Sequence, residues 1–383
     1  MSELPLRIGY IPLVDAAAVI VAADHGFAAA EGLRVELVRE VSWSNVRDKL
    51  NIGLFDAAHL LSPVAIASSL GLGHVRVPLL APFCLGTNGN AITVTPQLYR
   101  ILADAADGDL SDPSVSARAL GRAVAERRRR HADPLALGMT FPFSNHNYQL
   151  RLWMAAGGVD PDEDLRLVVL PPPYMVESLA SGHVDGFCVG APWNSVAVDL
   201  GVGRILHFGC DIVARCAEKV LAVRAEWAAR NPHVVERLVR ALGRAAAFIA
   251  DASRRDEVAR LVAARIDVPA EVVRRTLSGR LKMSVDGAER TDARYVLIGG
   301  AAARPDPMQA AWLYAQMVRW GQALSAPDLL AAARDVFSPA TYDTVVGAQG
   351  GADDEPADGV GAFAGAPFDP ARITDLVTLI PRA

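Results

Sequence analysis

The sequence predicts an α/β protein built on mainly parallel sheets. Short apolar runs with β-branched character alternate along the chain with helical patterns, and Asp, Ser or Gly residues stand at the joints. The 383 residues, 51% of them hydrophobic, provide core material for one large domain or two.

Each element follows in order. "LRIGYIP" (6–12) reads as a strand. Asp15 is placed to cap the next helix, "AAAVIVAADHG", and Gly26 to end it. "LRVELVRE" is a second strand, and "SWSNVRDKLNIG" is a short helix with Ser42 or Ser44 as cap and Gly53 as stop. "FDAAHLLSPVAIASSLGLG" carries a brief strand into a helix. "NAITVTP" opens a new strand, and a looser stretch fills 97–134. "LALGMTF" (strand), "NHNYQLRLWMAAGG" (helix), "LRLVVLPPP" (strand), "YMVESLASGH" (helix) and "VDGFCVG" (strand) continue the alternation. After Trp193 long Ala/Arg/Leu-rich helices dominate, and 347–367 is a Gly/Ala/Asp-rich segment expected to be mobile.

Composition excludes several classes. A formal charge of −5 points to no polyanionic partner. The run Arg127–Arg130 lacks interleaved aromatics and reads as a solvated helix face, so no direct nucleic-acid binding is expected. No apolar run is long enough to span a bilayer. The start has no basic n-region, and Pro12 and Asp15 interrupt its apolar stretch, which leads to the expectation of a cytoplasmic protein. Cys84, Cys188, Cys210 and Cys216 match no zinc or redox spacing and are expected as buried thiols. P-loop, H-E-x-x-H and G-x-S-x-G patterns are absent, so no enzyme activity, cofactor or metal is expected.

The chain does offer helix starts that follow strand ends, at Asp15–Ala16, Ser42–Asn45 and Ser144–Asn147. Free N–H groups and the positive dipole end suit an anion there. Of eight histidines, His59 and His146 fall beside turns of this kind. An imidazolium at His146 would donate from both nitrogens, so an anion is expected to bind more tightly below about pH 6.5.

Long ungapped blocks then carry a family likeness: "RIGYIPLVDAAAVIVAADHGFAAAEGLRVELVREVSWSNVRDKL", "FDAAHLLSPV", "NGNAITV", "MTFPFSNHNYQLRLWMAAGGVDPDEDLRLVVLPPPYMVESLASGHVDGFCVGAPWN" and "AEKVLAVRAEWAARNP". Over roughly residues 5–345 the chain resembles the nitrate/bicarbonate-binding protein family (NrtA/CmpA-like). The resemblance implies a two-lobed type II solute-binding-protein fold, with the ligand in the interlobe cleft. Lobe 1 is expected at 1–89 plus 194–346 with the C-terminal helices, lobe 2 at 90–193, and a tail at 368–383. The stretch 97–134 looks like an insertion. For nitrate the resemblance implies Trp43, Asn90, His146 and Lys219 as ligand-binding residues. Asn90 stands where the family carries a longer Gln and reaches less far. Nitrate needs donors and positive charge, whereas the O–H of bicarbonate wants an acceptor, so Lys219 favours nitrate. Glu218 is its neighbour, and a register one residue earlier would put a carboxylate there instead.

Within the family, a member without export signal or lipid anchor resembles the cytoplasmic nitrate/nitrite sensors of the NasS type. That implies a binding module that sequesters an RNA-binding antiterminator (NasT-like) and releases it when nitrate or nitrite binds. The alternative is a nitrate or bicarbonate solute-binding component of an ABC transporter. A third class is an enzyme on the same fold, such as a thiamine-pyrimidine synthase, whose cysteine-rich motif is absent here.

Overall fold

The computed structural model describes residues 4–347, 360–365 and 367–373. In chain order the strands are β1 (Leu4–Tyr10), β2 (Leu33–Arg39), β3 (Ala57–Leu61), β4 (Leu79–Asn88) and β5 (Asn90–Val94). There follow β6 (Ala136–Met139), β7 (Arg166–Val169), β8 (Gly186–Gly190), β9 (Arg204–Phe208) and β10 (Ala217–Arg224). A small hairpin, β11 (Arg280–Lys282) and β12 (Glu289–Thr291), and the short β13 (Val296–Leu297) complete the set. They assemble into a six-stranded sheet of order β13-β4-β10-β3-β1-β2 and a five-stranded sheet of order β7-β6-β8-β5-β9.

The α/β class is as expected, but the ladders are more mixed than the alternation implied. β1 runs parallel to β2 and β3, and β6 parallel to β7 and β8, where strand, helix and strand follow one another. β10 is antiparallel to both β3 and β4, and β5 to both β8 and β9. The reason is the route between sheets. β4 leaves the first sheet and becomes β5 of the second through Asn88 and Gly89, both at positive φ. The chain returns from β9 to β10, which pairs beside β4. Two neighbouring strands thus bridge the sheets, and the return lies after β9. This corrects the lobe boundary expected at 193/194, because β9 belongs to the second sheet through its pairing with β5.

Both faces of the first sheet are covered. On β10, Leu221 and Val223 pack with Val19, Val21, Leu238 and Leu242 from one helix layer. Val220 and Ala222 pack on the other side with Val64, Ile66, Leu313 and Met317. Each such buried Val, Leu, Ile or Met side chain contributes about 1.5–3 kcal/mol. β4 and β10 lack polar alternation for this reason, so the sequence shows no strand period there.

The stretch 97–134 is ordered rather than loose: it holds the helices Pro96–Ala105 and Pro113–Arg129. Thr95 and Asp112 cap them through the N–H groups of Leu98 (3.1 Å) and Ser114 (2.7 Å), and a Pro occupies the first turn of each. Arg128, Arg129 and Arg130 are exposed and ion-paired with Asp164 and Glu126. All four cysteines are buried and unpaired.

Most of the segment expected to be mobile at 347–367 lies outside the described residues, as do 374–383 of the tail. Within that segment, Ala362 forms a bridge with Val213, and the Phe363 N–H donates to Ile212 O at 2.8 Å. Among the described residues no helix is long and apolar enough to cross a membrane.

Candidate functional site

The four residues singled out in the sequence meet in one place. Trp43 opens the helix Trp43–Asn51, whose cap Ser42 accepts from Asn45 N at 3.3 Å. His146 lies in the first turn of the helix Asn145–Ala156, capped by Ser144, which accepts from Asn147 N at 3.1 Å. Asn90 is the first residue of β5, and Lys219 lies in β10. Trp43, Asn90, His146 and Lys219 are all at most 1% exposed.

The contacts among them run through residues the sequence reading had not placed in the site. The Lys219 ammonium lies 3.0 Å from Asp15 Oδ2, 2.7 Å from Glu218 Oε1 and 5.3 Å from the centre of the Trp43 ring. His59 Nε2 meets Asp15 Oδ1 at 2.9 Å, and its ring stands 5.5 Å from that of Trp43. On the other side Glu218 Oε2 accepts from Asn90 Nδ2 at 2.8 Å, and Glu218 Oε1 lies 3.4 Å from His146 Nε2. Asn90 Nδ2 also approaches Gln149 Oε1 at 3.2 Å.

Asp15 is not the helix cap the sequence indicated. It sits in the 3-10 turn Val14–Ala16, makes no capping hydrogen bond, and serves Lys219 and His59 instead. Gly86 permits this: a Cβ there would lie 2.9 Å from the Cβ of Asp15. Gly86→Ala is therefore expected to cost about 1–3 kcal/mol through overpacking and to push Asp15 off Lys219. Urea denaturation measures the cost; an unchanged midpoint would show that Asp15 is not held by this contact.

Glu218 and Lys219 are sequence neighbours on a strand, yet both side chains enter the cluster. Alternation would send them to opposite faces. A β-bulge resolves this. On β10, Ala217 pairs with Thr87 and Lys219 with Gly86, so Glu218 is the extra residue. The bulge is pinned at Ala217, whose carbonyl accepts from Ser62 Oγ (2.5 Å) and Asn145 Nδ2 (2.8 Å) and whose N–H donates to Gln309 Oε1 (3.1 Å). The choice between Lys219 and Glu218 left by the sequence is thus no choice, since the site holds both.

Electrostatics follow from burial and pairing. Burial alone would raise the Asp15 carboxyl, but Lys219 and His59 outweigh it and hold it at about 2. Glu218 is likewise lowered against its burial by Lys219 and His146, and Lys219 is raised against its burial by Asp15 and Glu218. Burial pushes His59 down, and it pushes His146 to about 4 despite Glu218. This corrects the expectation of a His146 titration near the ordinary imidazole value. Near neutral pH both imidazoles are uncharged, and two carboxylates face one ammonium.

Several buried polar atoms in the cluster have no hydrogen-bond partner among the described residues: Trp43 Nε1, His146 Nε2, Gln149 Nε2, His59 Nδ1 and Asn90 Oδ1. Buried polar groups are nearly always satisfied, so this concentration makes the cluster the candidate ligand site. The amide nitrogen of Asn90 is turned to Gln149 and Glu218, so the shorter Asn organises its neighbours while Gln149 presents the free N–H. Gln149 carried no local signal of this role; Asp15 and His59 did, beside their turns, and Glu218 only as the neighbour of Lys219.

A family model described as the NMT1-like family matches residues 2–263. The chain belongs to the NMT1-like family. Among relatives of this NMT1-like chain, the nitrate/nitrite binding protein NrtA of Synechococcus elongatus is 30% identical over 381 residues, covering 95% of this chain and 83% of that protein. The nitrate import ATP-binding protein NrtC of Synechocystis sp. is 33% identical over 330 residues, covering 84% of this chain and 47% of that protein. The chain thus spans about half the length of the import ATP-binding proteins it matches. The crystal structure of the periplasmic nitrate-binding protein NrtA from Synechocystis PCC 6803 superposes with a TM-score of 0.88 at 26% identity, over 99% of each chain. The aliphatic sulphonate binding protein SsuA of Escherichia coli, at 16% identity and a TM-score of 0.57, shares the fold. The expected two-lobed binding-protein fold is therefore the fold of this chain, and its relatives include nitrate- and bicarbonate-binding proteins.

Proposed function

We propose that this protein is a solute-binding component that captures a small planar oxyanion, nitrate in the first instance, between its two sheets and presents it to an import system. The observation that carries the reading is the set of unpaired buried donors on Trp43, His146 and Gln149 in one cluster with the Lys219 ammonium. Nitrate is planar, a weak acceptor and unprotonated at neutral pH, so it is held by donors and charge. Trp Nε1 can only donate, and Lys supplies the charge. That relatives of this chain are named as nitrate-binding and nitrate-import proteins supports the same reading.

The solute-binding reading takes precedence over the sensor reading. A cytoplasmic sensor that sequesters a NasT-like antiterminator rests on the sequence resemblance alone; its test is whether nitrate or nitrite releases such a partner from a purified complex. The main test is titration calorimetry of the purified protein with nitrate, nitrite and bicarbonate. Saturable heat with nitrate is expected. Silence with all three anions from a folded sample would end the oxyanion reading.

A further inference from the structure

Resting on that oxyanion reading, we propose that the site takes up its anion together with one proton from solvent, which the facing Glu218–His146 pair receives. Asp15, Glu218 and Lys219 are all buried, and Lys219 touches both carboxylates, which leaves the cluster with one negative charge in excess while His59 and His146 are neutral. Adding an anion to that buried cluster would leave two excess charges far from water, an arrangement that shifts proton equilibria before it is tolerated.

The geometry provides a place for the compensating proton. His146 Nε2 faces Glu218 Oε1 at 3.4 Å, and its Nδ1 meets Thr140 Oγ1 at 2.9 Å. The Thr140 hydroxyl can donate to a neutral imidazole or accept from an imidazolium, so protonation needs no rearrangement there. Glu218 favours the cationic ring, Lys219 opposes it, and Asp15 favours it from farther away. Burial keeps the ring neutral when no anion is bound, with a value of about 4. A second negative charge beside it raises that value, so nitrate or nitrite draws a proton from solvent onto the Glu218–His146 pair.

Bicarbonate brings the same single negative charge as nitrate. Its O–H can donate to the Glu218 carboxylate, as the N–H of Asn90 does at 2.8 Å. That hydrogen bond changes no net charge, so the compensating proton is required for both anions.

The experiment is titration calorimetry of the whole chain in two buffers of different ionisation enthalpy, at about pH 7 for nitrate and about pH 8 for bicarbonate. Nitrate is expected to bring in about one proton, and its affinity to fall about tenfold per pH unit in that range. Bicarbonate, which carries the same charge, is expected to bring in about one as well. In Glu218→Gln the cluster loses its excess charge, so nitrate uptake of protons should vanish, its pH dependence should flatten, and the ratio of nitrate to bicarbonate affinity should rise about tenfold or more. Nitrate binding without proton exchange in the unmodified protein would overturn the proposal and leave the oxyanion site standing. Undiminished proton uptake in a folded Glu218→Gln would remove Glu218 from it. If that variant does not fold, the proton count of the unmodified protein decides alone. No heat from any anion would end the oxyanion reading and this inference with it.

Discussion

Replacing Lys219 with methionine is expected to abolish nitrate binding and to destabilise the protein by about 3–5 kcal/mol. The side chain is fully buried between Asp15 and Glu218, at 3.0 and 2.7 Å, so its removal leaves two carboxylates in low dielectric with no cation between them. Methionine fills similar space, which isolates the charge from the packing. The anion loses a charge-assisted partner worth about 1.5–3 kcal/mol and meets uncompensated negative charge as well. Denaturant unfolding and calorimetry read the two effects separately. Adding Glu218→Gln to the same chain should restore part of the stability without restoring nitrate binding to its original strength. Nitrate affinity at the original level in a folded Lys219→Met would exclude Lys219 from the site.

Acidification should cost roughly 6 kcal/mol of stability between about pH 6.5 and pH 4, mostly through two histidines. His146 and His207 are fully buried, and burial pushes each to about 4. His207 Nε2 lies 2.5 Å from Ser116 Oγ, which also accepts from Trp153 Nε1 at 2.9 Å, so its ring is fixed in the core of the second lobe. The unfolded chain binds a proton at each imidazole near 6.5, whereas the folded chain refuses it until about 4. The neutral-ring contribution is therefore complete above 6.5, declines as pH falls, and levels off below 4. Each ring accounts for about 3 kcal/mol. The upper half of this window precedes most carboxylate titration, so it belongs to the imidazoles. Unfolding midpoints measured across it, with and without His207→Gln, check the result: the variant should show about half the slope. Equal midpoints at pH 6.5 and 4.5 would show that neither ring is held neutral. Nitrate should protect against the His146 part of the loss if it binds with a proton.

By itself the sequence determined the local pieces of this protein. β1, β2 and β3 and the helix starts at Ser42 and Ser144 were legible because apolar runs and capping side chains act over a few residues. Trp43 and His146 stand at those helix starts, which is why the first turn of each pointed to an anion. The family blocks added Asn90 and Lys219. Tertiary structure decided the rest, because the causes are distant in the chain. β4, β9 and β10 show no alternation, since both faces of each are covered by elements far away in sequence. Asp15 looked like a cap because its partners, His59 and Lys219, lie far along the chain. A strand period of two would separate Glu218 from Lys219; the register with β4 inserts a bulge and turns both into one buried cluster. The residue types were written locally, but the charge balance of the site exists only where the two sheets meet, since Coulomb interactions depend on distance in space and on the exclusion of water.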